Sequence, residues 1–270
     1  RDALIIGKVE IMPEEFGRIG EKIKESVRDS LLRLQRDHID VLMLHNPTRL
    51  THDPKVRVWT PLTREDVVAK VIPSMQEIQR EGKARFLGLA TEASDPTVVE
   101  NLLATKMFSL LNVWFNLANP SAATAVAGLP QHQDYSGIFD SARRHGAGVA
   151  VIRPLAGGTL TRSSIIKRSS SRHPLSRGYF DDYPEAWRAE MVRADRFAFL
   201  DRPPRQSISE AAIRYILGHD VVATVIGGFS EISQMEEAVR SAASGPLEAE
   251  DQEGVSAVLR SGFDRLPLRA

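Results

Sequence analysis

The chain has 270 residues, of which 42% are hydrophobic and 26% are charged, values typical of a globular protein. Its 35 basic residues balance 35 acidic residues, so no net charge attracts nucleic acid or an anionic membrane surface. The sequence contains no apolar run of membrane-spanning length and no cysteine, which excludes disulfide bonds, thiol catalysis and cysteine-ligated zinc. We expect a cytoplasmic protein that binds neither nucleic acid nor a membrane.

Short apolar runs alternate with longer amphipathic stretches along the chain. The apolar runs predict strands at 3–7, 39–44, 84–90, 109–115, 148–152 and 221–226. Helical spacing predicts helices at 19–34, 65–83, about 96–104, about 134–144, 207–217, from about 231, and at about 248–260. Continuous apolar strands that alternate with helices are typical of a parallel sheet covered by helices, so the predicted fold class is α/β.

The number of predicted strands leaves two architectures open. A (β/α)8 TIM barrel needs eight strands, whereas a doubly wound open sheet is complete with about five or six. No predicted strand is followed by the G-x-G-x-x-G turn with which many open sheets bind dinucleotides. The pattern of strands and helices alone favours neither architecture.

Individual residues mark the buried faces and the ends of the predicted helices. The apolar stripes consist of Ile19, Ile23, Val27, Leu31 and Leu34 in the first helix, and of Val67, Val71, Met75 and Ile78 in the second. Gly82 is expected to end the second helix, and Ser207 or Ser209 to cap the helix at 207–217.

Residues 159–206 interrupt this alternation. A polar, basic and serine-rich stretch is followed by "YFDDYPEAWRAEMVRADRF" (179–197), which could hold a short helix. A connection of this length after a strand is either functional or a solvated insertion. Both a substrate lid and a plain insertion remain open.

The apolar run "IDVLMLHNP" (39–47) ends in a histidine and then turns at Asn46 and Pro47. The carboxyl ends of parallel strands carry the functional groups of barrels and of open sheets. A histidine after an apolar strand is nevertheless more often structural than catalytic. His45 by itself therefore only indicates a position to examine.

Five stretches in chain order resemble the aldo-keto reductase family of (β/α)8 oxidoreductases. They are "SVRDSLLRLQRDHIDVLMLHNP" (26–47), "EIQREGKARFLGLA" (77–90), "GVAVIRPLAGGTL" (148–160), "SISEAAIRYIL" (207–217) and "VVATVIGGFSEISQMEEAV" (221–239). The resemblance implies one TIM barrel domain over 1–270, whose first visible strand is the family's third. The first two βα units, roughly 60 residues at the usual unit size, are then absent from this sequence. Since the chain opens with Arg1, we expect that this is not the natural start of the polypeptide.

The resemblance also implies a catalytic set of tyrosine, lysine, aspartate and histidine. Lys8 matches the lysine and His45 the histidine, whereas the tyrosine and the aspartate are expected upstream of Arg1. A nicotinamide cofactor, NADP or NAD, would carry the hydride, and the substrate would be a small-molecule carbonyl or alcohol. No metal is implied, and both the substrate and the oligomeric state stay undetermined.

Residues that match the family's cofactor site differ in part from its usual pattern. Ala90 and Thr91 stand in place of a Ser-Asn pair, and Asn112 in place of a glutamine. The remaining matching positions are Arg153, Pro154, Leu155, Gly157 and Gly158 in a phosphate loop, and Gly228, Phe229, Ser230, Gln234 and Glu237 near the adenosine. Gln234 replaces a common arginine, and Glu231 would repel a phosphate if its side chain pointed inward. We therefore predict that NADH is tolerated and that any preference for NADPH is weak.

Two other interpretations remain open. A catalytically impaired nucleotide-binding scaffold or regulatory subunit on the same fold would keep Lys8 and His45 as relics and would bind nucleotide without turnover. A naturally truncated barrel would expose apolar strand edges and would aggregate or pair with another chain.

Overall fold

The computed structural model describes residues 3–51, 60–126, 129, 133–162 and 184–263. The chain divides into two compact units, the first made of Arg1–Val113 with Gln131–Ala150, and the second of Trp114–Pro130 with Val151–Ala270. The expectation of one barrel domain over 1–270 stays a prediction. In the described part of the chain, no helix is both long and apolar enough to cross a membrane.

The strands agree closely with the apolar runs. They are β1 (Ile6–Val9), β2 (Ile39–Leu44), β3 (Thr48–Arg49), β4 (Leu62–Thr63), β5 (Ala84–Ala90), β6 (Leu110–Trp114), β7 (Gly148–Ile152) and β8 (Val222–Val225). Within the described ranges, the short strands β3 and β4 pair with each other and form a separate two-stranded sheet. The other strands are those that the sequence predicts.

The helices are α1 (Ile19–Leu34), α2 (Arg64–Asp66), α3 (Ile72–Arg80), α4 (Pro96–Leu103), α5 (Ile138–His145), α6 (Pro184–Asp195), α7 (Ile208–Leu217), α8 (Ile232–Ala243) and α9 (Ala249–Arg260). Short 3-10 turns lie at Pro13–Arg18, Ala156–Gly158 and Ala198–Leu200. The short helix expected within 179–197 is confirmed as α6, whereas 163–183 lie outside the described residues. The lid therefore stays a prediction.

A parallel sheet forms the centre of the first unit. Strand β2 pairs in parallel with β1 on one side and with β5 on the other, and β5 pairs in parallel with β6. The next strand, β7, continues the sheet, where the Gly148 N–H donates to the carbonyl of Ser109 at 2.9 Å. This arrangement confirms the predicted α/β class and brings the carboxyl ends of β1, β2 and β5 side by side.

The first strand begins three residues later than the apolar run indicates. Ile6 pairs with Val41, and the carbonyl of Ile5 accepts hydrogen bonds from the N–H groups of Asp40 and Val41. The Ile5 N–H donates to Oδ2 of Asp40 at 2.9 Å instead of to a backbone carbonyl of β2, and Leu4 before it is 79% exposed. The predicted strand at 3–7 was therefore wrong in its bounds, and Lys8 lies inside β1 rather than after it.

Helix α1 packs against the sheet through most of the predicted stripe. Ile19, Ile23, Val27 and Leu31 are buried. Leu34 is 43% exposed, contrary to the prediction. It is the last residue of the helix, and Gln35 adopts a left-handed conformation (φ 52°) that turns the chain away.

The predicted helix at 65–83 is interrupted. A π turn at Val67–Val71 separates α2 from α3, which has a proline in its first turn. Pro73 has no N–H to donate to the preceding turn, which explains why the regular α-helical ladder does not run through this point. The stripe itself is confirmed, because Val67, Val71, Met75 and Ile78 are all buried. Gly82 turns the chain after α3 with φ of 72°, as expected.

The starts of α5 and α7 are set by a backbone conformation and by a side-chain cap, respectively. Helix α5 begins at Ile138 rather than near residue 134, since Gly137 precedes it in a left-handed conformation (φ 79°). Helix α7 is capped by Ser207, whose hydroxyl accepts a hydrogen bond from the Glu210 N–H at 3.0 Å. Of the two predicted caps, Ser207 is confirmed and Ser209 was wrong.

The second unit has its own apolar core, to which α6, α7 and α9 contribute. Strand β8 belongs to this unit, and the N–H of Ile226, just after it, donates to the carbonyl of Val151 at 2.8 Å. Completely buried residues of this core include Leu117, Ala118, Ala156, Leu160, Phe197, Leu200, Ile208, Ala211 and Ala212.

Candidate active site

In the first unit, Lys8 and His45 lie on adjacent strands. Lys8 pairs with Met43 across the β1–β2 ladder, and His45 follows the last residue of β2. The backbone N–H of His45 donates to the carbonyl of Val9 at 2.8 Å. The structure therefore brings together the two residues that the resemblance assigns to catalysis.

A carboxylate that the sequence analysis missed faces this histidine. Oε2 of Glu10 lies 3.5 Å from Nδ1 of His45, and each side chain is 28% exposed. Burial and, next, the positive charge of Lys8 lower the pKa of His45, while the Glu10 carboxylate opposes this shift. Glu10 comes one residue after β1, and this position beyond a strand end is the signal that could have found it.

A second carboxylate acts on Lys8. Desolvation of the amino group lowers the pKa of Lys8, and the charge of Glu92 works in the opposite direction. Glu92 follows β5 by two residues, again just beyond a strand end. A lysine, a histidine and two carboxylates thus lie near the carboxyl ends of three neighbouring strands.

The turn after His45 is held by the side chain of Asn46. Its Oδ1 accepts from the Ile11 N–H and its Nδ2 donates to the Ile11 carbonyl, both at 2.8 Å. The same Nδ2 also donates to the carbonyl of Thr60 at 2.9 Å. Asn46 is completely buried. It therefore ties the segment that carries Glu10 to the segment that carries His45.

The residues matched to the nicotinamide site lie at the ends of β5 and β6. Ala90 pairs with Asn112, and both the N–H and the hydroxyl of Thr91 donate to the Asn112 carbonyl, at 3.0 and 2.8 Å. The side chain of Asn112 is completely buried, and neither Oδ1 nor Nδ2 has a hydrogen-bond partner among the described residues. Since a buried amide is costly unless paired, this side chain fits a ligand that offers both a donor and an acceptor, as a carboxamide does.

In the second unit, the loop after β7 has the backbone expected of an anion site. Arg153, Gly157 and Gly158 have positive φ angles of 55°, 62° and 97°. A side chain at Gly158 would meet open space, so the backbone conformation rather than packing requires glycine there. Pro154 is buried and Leu155 is half-buried; the Leu155 carbonyl accepts from the Gly158 N–H at 2.8 Å. Successive backbone turns of this kind can present N–H groups to a phosphate.

Arg153 is contacted at both its side chain and its backbone; the guanidinium is the part that meets the Trp114 ring. It lies 4.5 Å from the centre of the Trp114 ring, and the Arg153 carbonyl accepts from Nδ2 of Asn116 at 2.8 Å. This arrangement orders a cation beside the loop, as a phosphate site requires.

Glu190 on α6 was not identified by the sequence analysis. Both carboxylate oxygens are buried and have no hydrogen-bond partner in the described ranges. Burial raises the pKa of Glu190 to about 7, against the charges of Arg193 and Arg153. No local pattern marks it, since it lies in a helix among other acidic and basic residues.

The residues matched to the adenosine site surround the start of α8. Gly228 and Phe229 are exposed, and the Ser230 N–H donates to Oε1 of Gln234 at 3.0 Å. Glu231 is exposed and precedes α8, while Glu237 accepts a hydrogen bond from the Ser207 hydroxyl. Gln234 and Glu237 thus have internal partners, and the negative charge of Glu231 is accessible to solvent.

Comparison with proteins of known sequence identifies relatives that are named as oxidoreductases, dehydrogenases or reductases. The uncharacterized oxidoreductase YqkF of Bacillus subtilis is 26% identical over 229 residues, which cover 85% of this chain and 63% of that protein. L-galactose dehydrogenase of Arabidopsis thaliana is 25% identical over 260 residues, covering 95% and 69%. L-glyceraldehyde 3-phosphate reductase of Escherichia coli is 25% identical over 252 residues, covering 89% and 65%. The chain spans about two thirds of the length of these relatives.

Comparison with solved structures decides between the two architectures. The holo form of the aldo-keto reductase AKR11C1 from Bacillus halodurans superimposes with a TM-score of 0.64 at 24% identity, covering 99% of this chain and 75% of that one. Its apo form gives the same TM-score at 25% identity, covering 99% and 74%. The fold is therefore that of the (β/α)8 barrel rather than the open sheet. The sequence profile of the Aldo/keto reductase family matches residues 1–260, and the chain belongs to this family.

Proposed function

We propose that the chain is part of an oxidoreductase that uses NADH or NADPH to reduce a small aldehyde or ketone, or to oxidise the corresponding alcohol. The observation that carries this proposal is the placement of Lys8 and His45 on adjacent strands, with the His45 N–H bound to the Val9 carbonyl. Membership of the Aldo/keto reductase family supports it. We also propose a cytoplasmic location, which rests on the absence of cysteine.

The polar groups of the first unit suit the stabilisation of negative charge on a carbonyl oxygen. The ammonium of Lys8 is partly desolvated, which strengthens its attraction for an oxyanion. The imidazole of His45 can orient the carbonyl by a hydrogen bond. A bound nicotinamide would supply the hydride itself.

The proposed cofactor residues fall into three groups. In the first unit, Asn112 would bind the carboxamide, with Ala90 and Thr91 beside it. In the second unit, Arg153 and the loop through Gly158 would bind phosphate. Around the start of α8, we propose that Gly228, Phe229, Ser230, Gln234 and Glu237 contact the adenosine part.

A second candidate function is a nucleotide-binding scaffold without turnover. The hydroxyl of Thr91 is engaged with the Asn112 carbonyl, and Ala90 offers no polar side chain. Two groups that could hold a carboxamide are thus lost or occupied. This candidate predicts cofactor binding with no reaction.

Fluorescence titration with NADH and with NADPH is the first test. We expect binding of at least one of them, followed by oxidation of the cofactor with a member of a carbonyl panel that includes L-glyceraldehyde 3-phosphate. Lys8→Met and His45→Gln should lower kcat by at least tenfold while cofactor binding persists. Their matched controls are Lys83→Met and His38→Gln, which change exposed or half-exposed residues near the opposite ends of β5 and β2.

Each outcome of this test has a definite meaning. Binding with turnover supports the reductase. Binding without turnover over the whole panel supports the scaffold. No binding up to millimolar concentrations of either nucleotide contradicts both candidate functions.

A further inference from the structure

Glu10 faces one particular ring nitrogen of His45. Its Oε2 lies 3.5 Å from Nδ1, and the two residues are held in this relation by the hydrogen bonds between Asn46 and Ile11, their neighbours in the chain. Asn46 is buried, so the clamp is shielded from water. The pairing is therefore a constrained feature of the site and not a contact between two free surface side chains.

The position of a proton on a neutral imidazole decides what the ring can do. A neutral ring has one N–H, and the other nitrogen carries a lone pair that can only accept. A carboxylate next to Nδ1 favours the form with the proton on Nδ1. In that form Nε2 cannot donate a hydrogen bond to a carbonyl oxygen. Only the doubly protonated ring can bind Glu10 through Nδ1–H and a carbonyl through Nε2–H at the same time.

We propose that Glu10 is a positioning residue that holds the proton of neutral His45 on Nδ1, so that His45 donates from Nε2 only when the ring is doubly protonated. The consequence for catalysis depends on the proposed function, because it assumes that His45 meets a carbonyl group. The position of the proton on the neutral His45 ring does not depend on the proposed function.

The charges around His45 define the direction of the pH effect. Lys8 on β1 disfavours the doubly protonated ring, whereas Glu10, just after β1, favours it. Glu92, after β5, partly offsets the charge of Lys8. Burial acts with Lys8, so the pKa of His45 lies below its ordinary value. The active form of the ring therefore becomes more populated as the pH falls, and the rate above the pKa drops up to tenfold per pH unit.

The direct test is long-range 1H–15N NMR of the apoprotein labelled at histidine, which distinguishes a proton on Nδ1 from one on Nε2. The signals of His45 are identified by their loss in His45→Gln. At high pH we expect the Nδ1–H form in the wild type. In Glu10→Gln the amide can donate to Nδ1, so we expect the proton on Nε2. Glu14→Gln, an exposed carboxylate four residues further on, should behave as the wild type.

Two results would overturn the proposal: an Nε2–H ring in the wild type, or the same ring form in the wild type and in Glu10→Gln. If Glu10→Gln does not fold, Glu10→Ala serves the same comparison, since it also removes the carboxylate. The NMR result stands whether or not the protein turns over a substrate, so failure of the proposed function is separately visible.

The pH profile of kcat/KM gives the catalytic readout. The wild type should gain activity as the pH falls, and Glu10→Gln should show a flatter profile, because its neutral ring already carries Nε2–H. KM for the nucleotide should not change between the two. An Nδ1–H ring with parallel pH profiles would contradict the catalytic part of the proposal.

Discussion

Asn46 and Ile11 exchange two hydrogen bonds of 2.8 Å, one in each direction, between the side chain of the first and the backbone of the second. His45 thus lies between the end of β2 and Asn46, whose side chain binds the neighbouring segment where the chain turns. The buried side-chain amide of Asn46, rather than further backbone pairing between the strands, supplies these hydrogen bonds. It holds the ends of β1 and β2 together.

Asn46→Ala should lower the free energy of unfolding by roughly 2–4 kcal/mol, because three hydrogen bonds are lost and backbone groups of Ile11 remain buried and unpaired. Urea unfolding measures this change. It should also loosen the pairing of Glu10 with His45 and move the His45 ring signals. A loss of stability within about half a kcal/mol, as is typical of surface sites, would contradict the role of the clamp.

Asn112→Leu should separate ligand binding from stability. Replacing a buried, unpaired amide by an apolar side chain of similar size should raise the free energy of unfolding by about 1–3 kcal/mol. The affinity for the nicotinamide nucleotides should fall by at least tenfold, since the amide is the proposed partner of the carboxamide. Urea unfolding and fluorescence titration measure the two effects, and unchanged affinity would remove Asn112 from the proposed site.

Gly88→Ala tests the packing between β2, β5 and β6. A Cβ at this position would lie 2.8 Å from Cε of Met43 and 3.0 Å from the backbone oxygen of Leu110. We expect a loss of roughly 1–3 kcal/mol in the free energy of unfolding, the usual cost of overpacking. The matched control is Gly17→Ala, where nothing lies within 4 Å of the added carbon. Equal stability of both variants would contradict the close approach of these strands.

Glu190→Gln should make stability less dependent on pH. The pKa of Glu190 is about 7 in the folded chain and 4.5 ordinarily, so between these values the folded state keeps a proton that the unfolded state releases. Stability is therefore lost as the pH rises through this window, by up to about 3 kcal/mol, and the cost is fully present above pH 7. The variant should be more stable than the wild type at pH 8 and similar to it at pH 4.5.

Urea unfolding at both pH values checks this expectation. Glu185→Gln, at an exposed position of the same helix, should leave the pH dependence of the wild type unchanged. A difference between Glu190→Gln and the wild type that is the same at both pH values would show that the carboxyl group does not titrate in this window.

Glu231→Lys should shift the cofactor preference toward NADPH. The change replaces an exposed negative charge before α8 by a positive one, which is worth up to about 1 kcal/mol, or roughly fivefold in affinity, at an exposed site. Paired titrations with NADH and NADPH at low salt measure the ratio. Glu236→Lys, which is exposed on the same helix, serves as the control. An equal change for both nucleotides would show that Glu231 does not lie near the 2′-phosphate.

Local patterns predicted most of the secondary structure. The buried stripe of Val67, Val71, Met75 and Ile78 and the cap at Ser207 were read from spacing and residue type. The errors in the predicted bounds occurred where a contact with another segment or the local backbone conformation sets the end of an element. Ala3 and Leu4 precede β1, Gly137 delays the start of α5, and Pro73 follows the π turn by two residues.

The sequence by itself determined the α/β class, the position of His45 just after an apolar strand, and the glycines of the loop after β7, because these depend on periodicity and on the conformational range of single residues. Only the tertiary structure decided that Glu10 faces Nδ1 of His45, that the amide of Asn112 is buried without a partner, and that Glu190 is buried near Arg153. Those relations join residues far apart in the chain. They depend on strand register and on the packing of helices against a core, which no local pattern encodes.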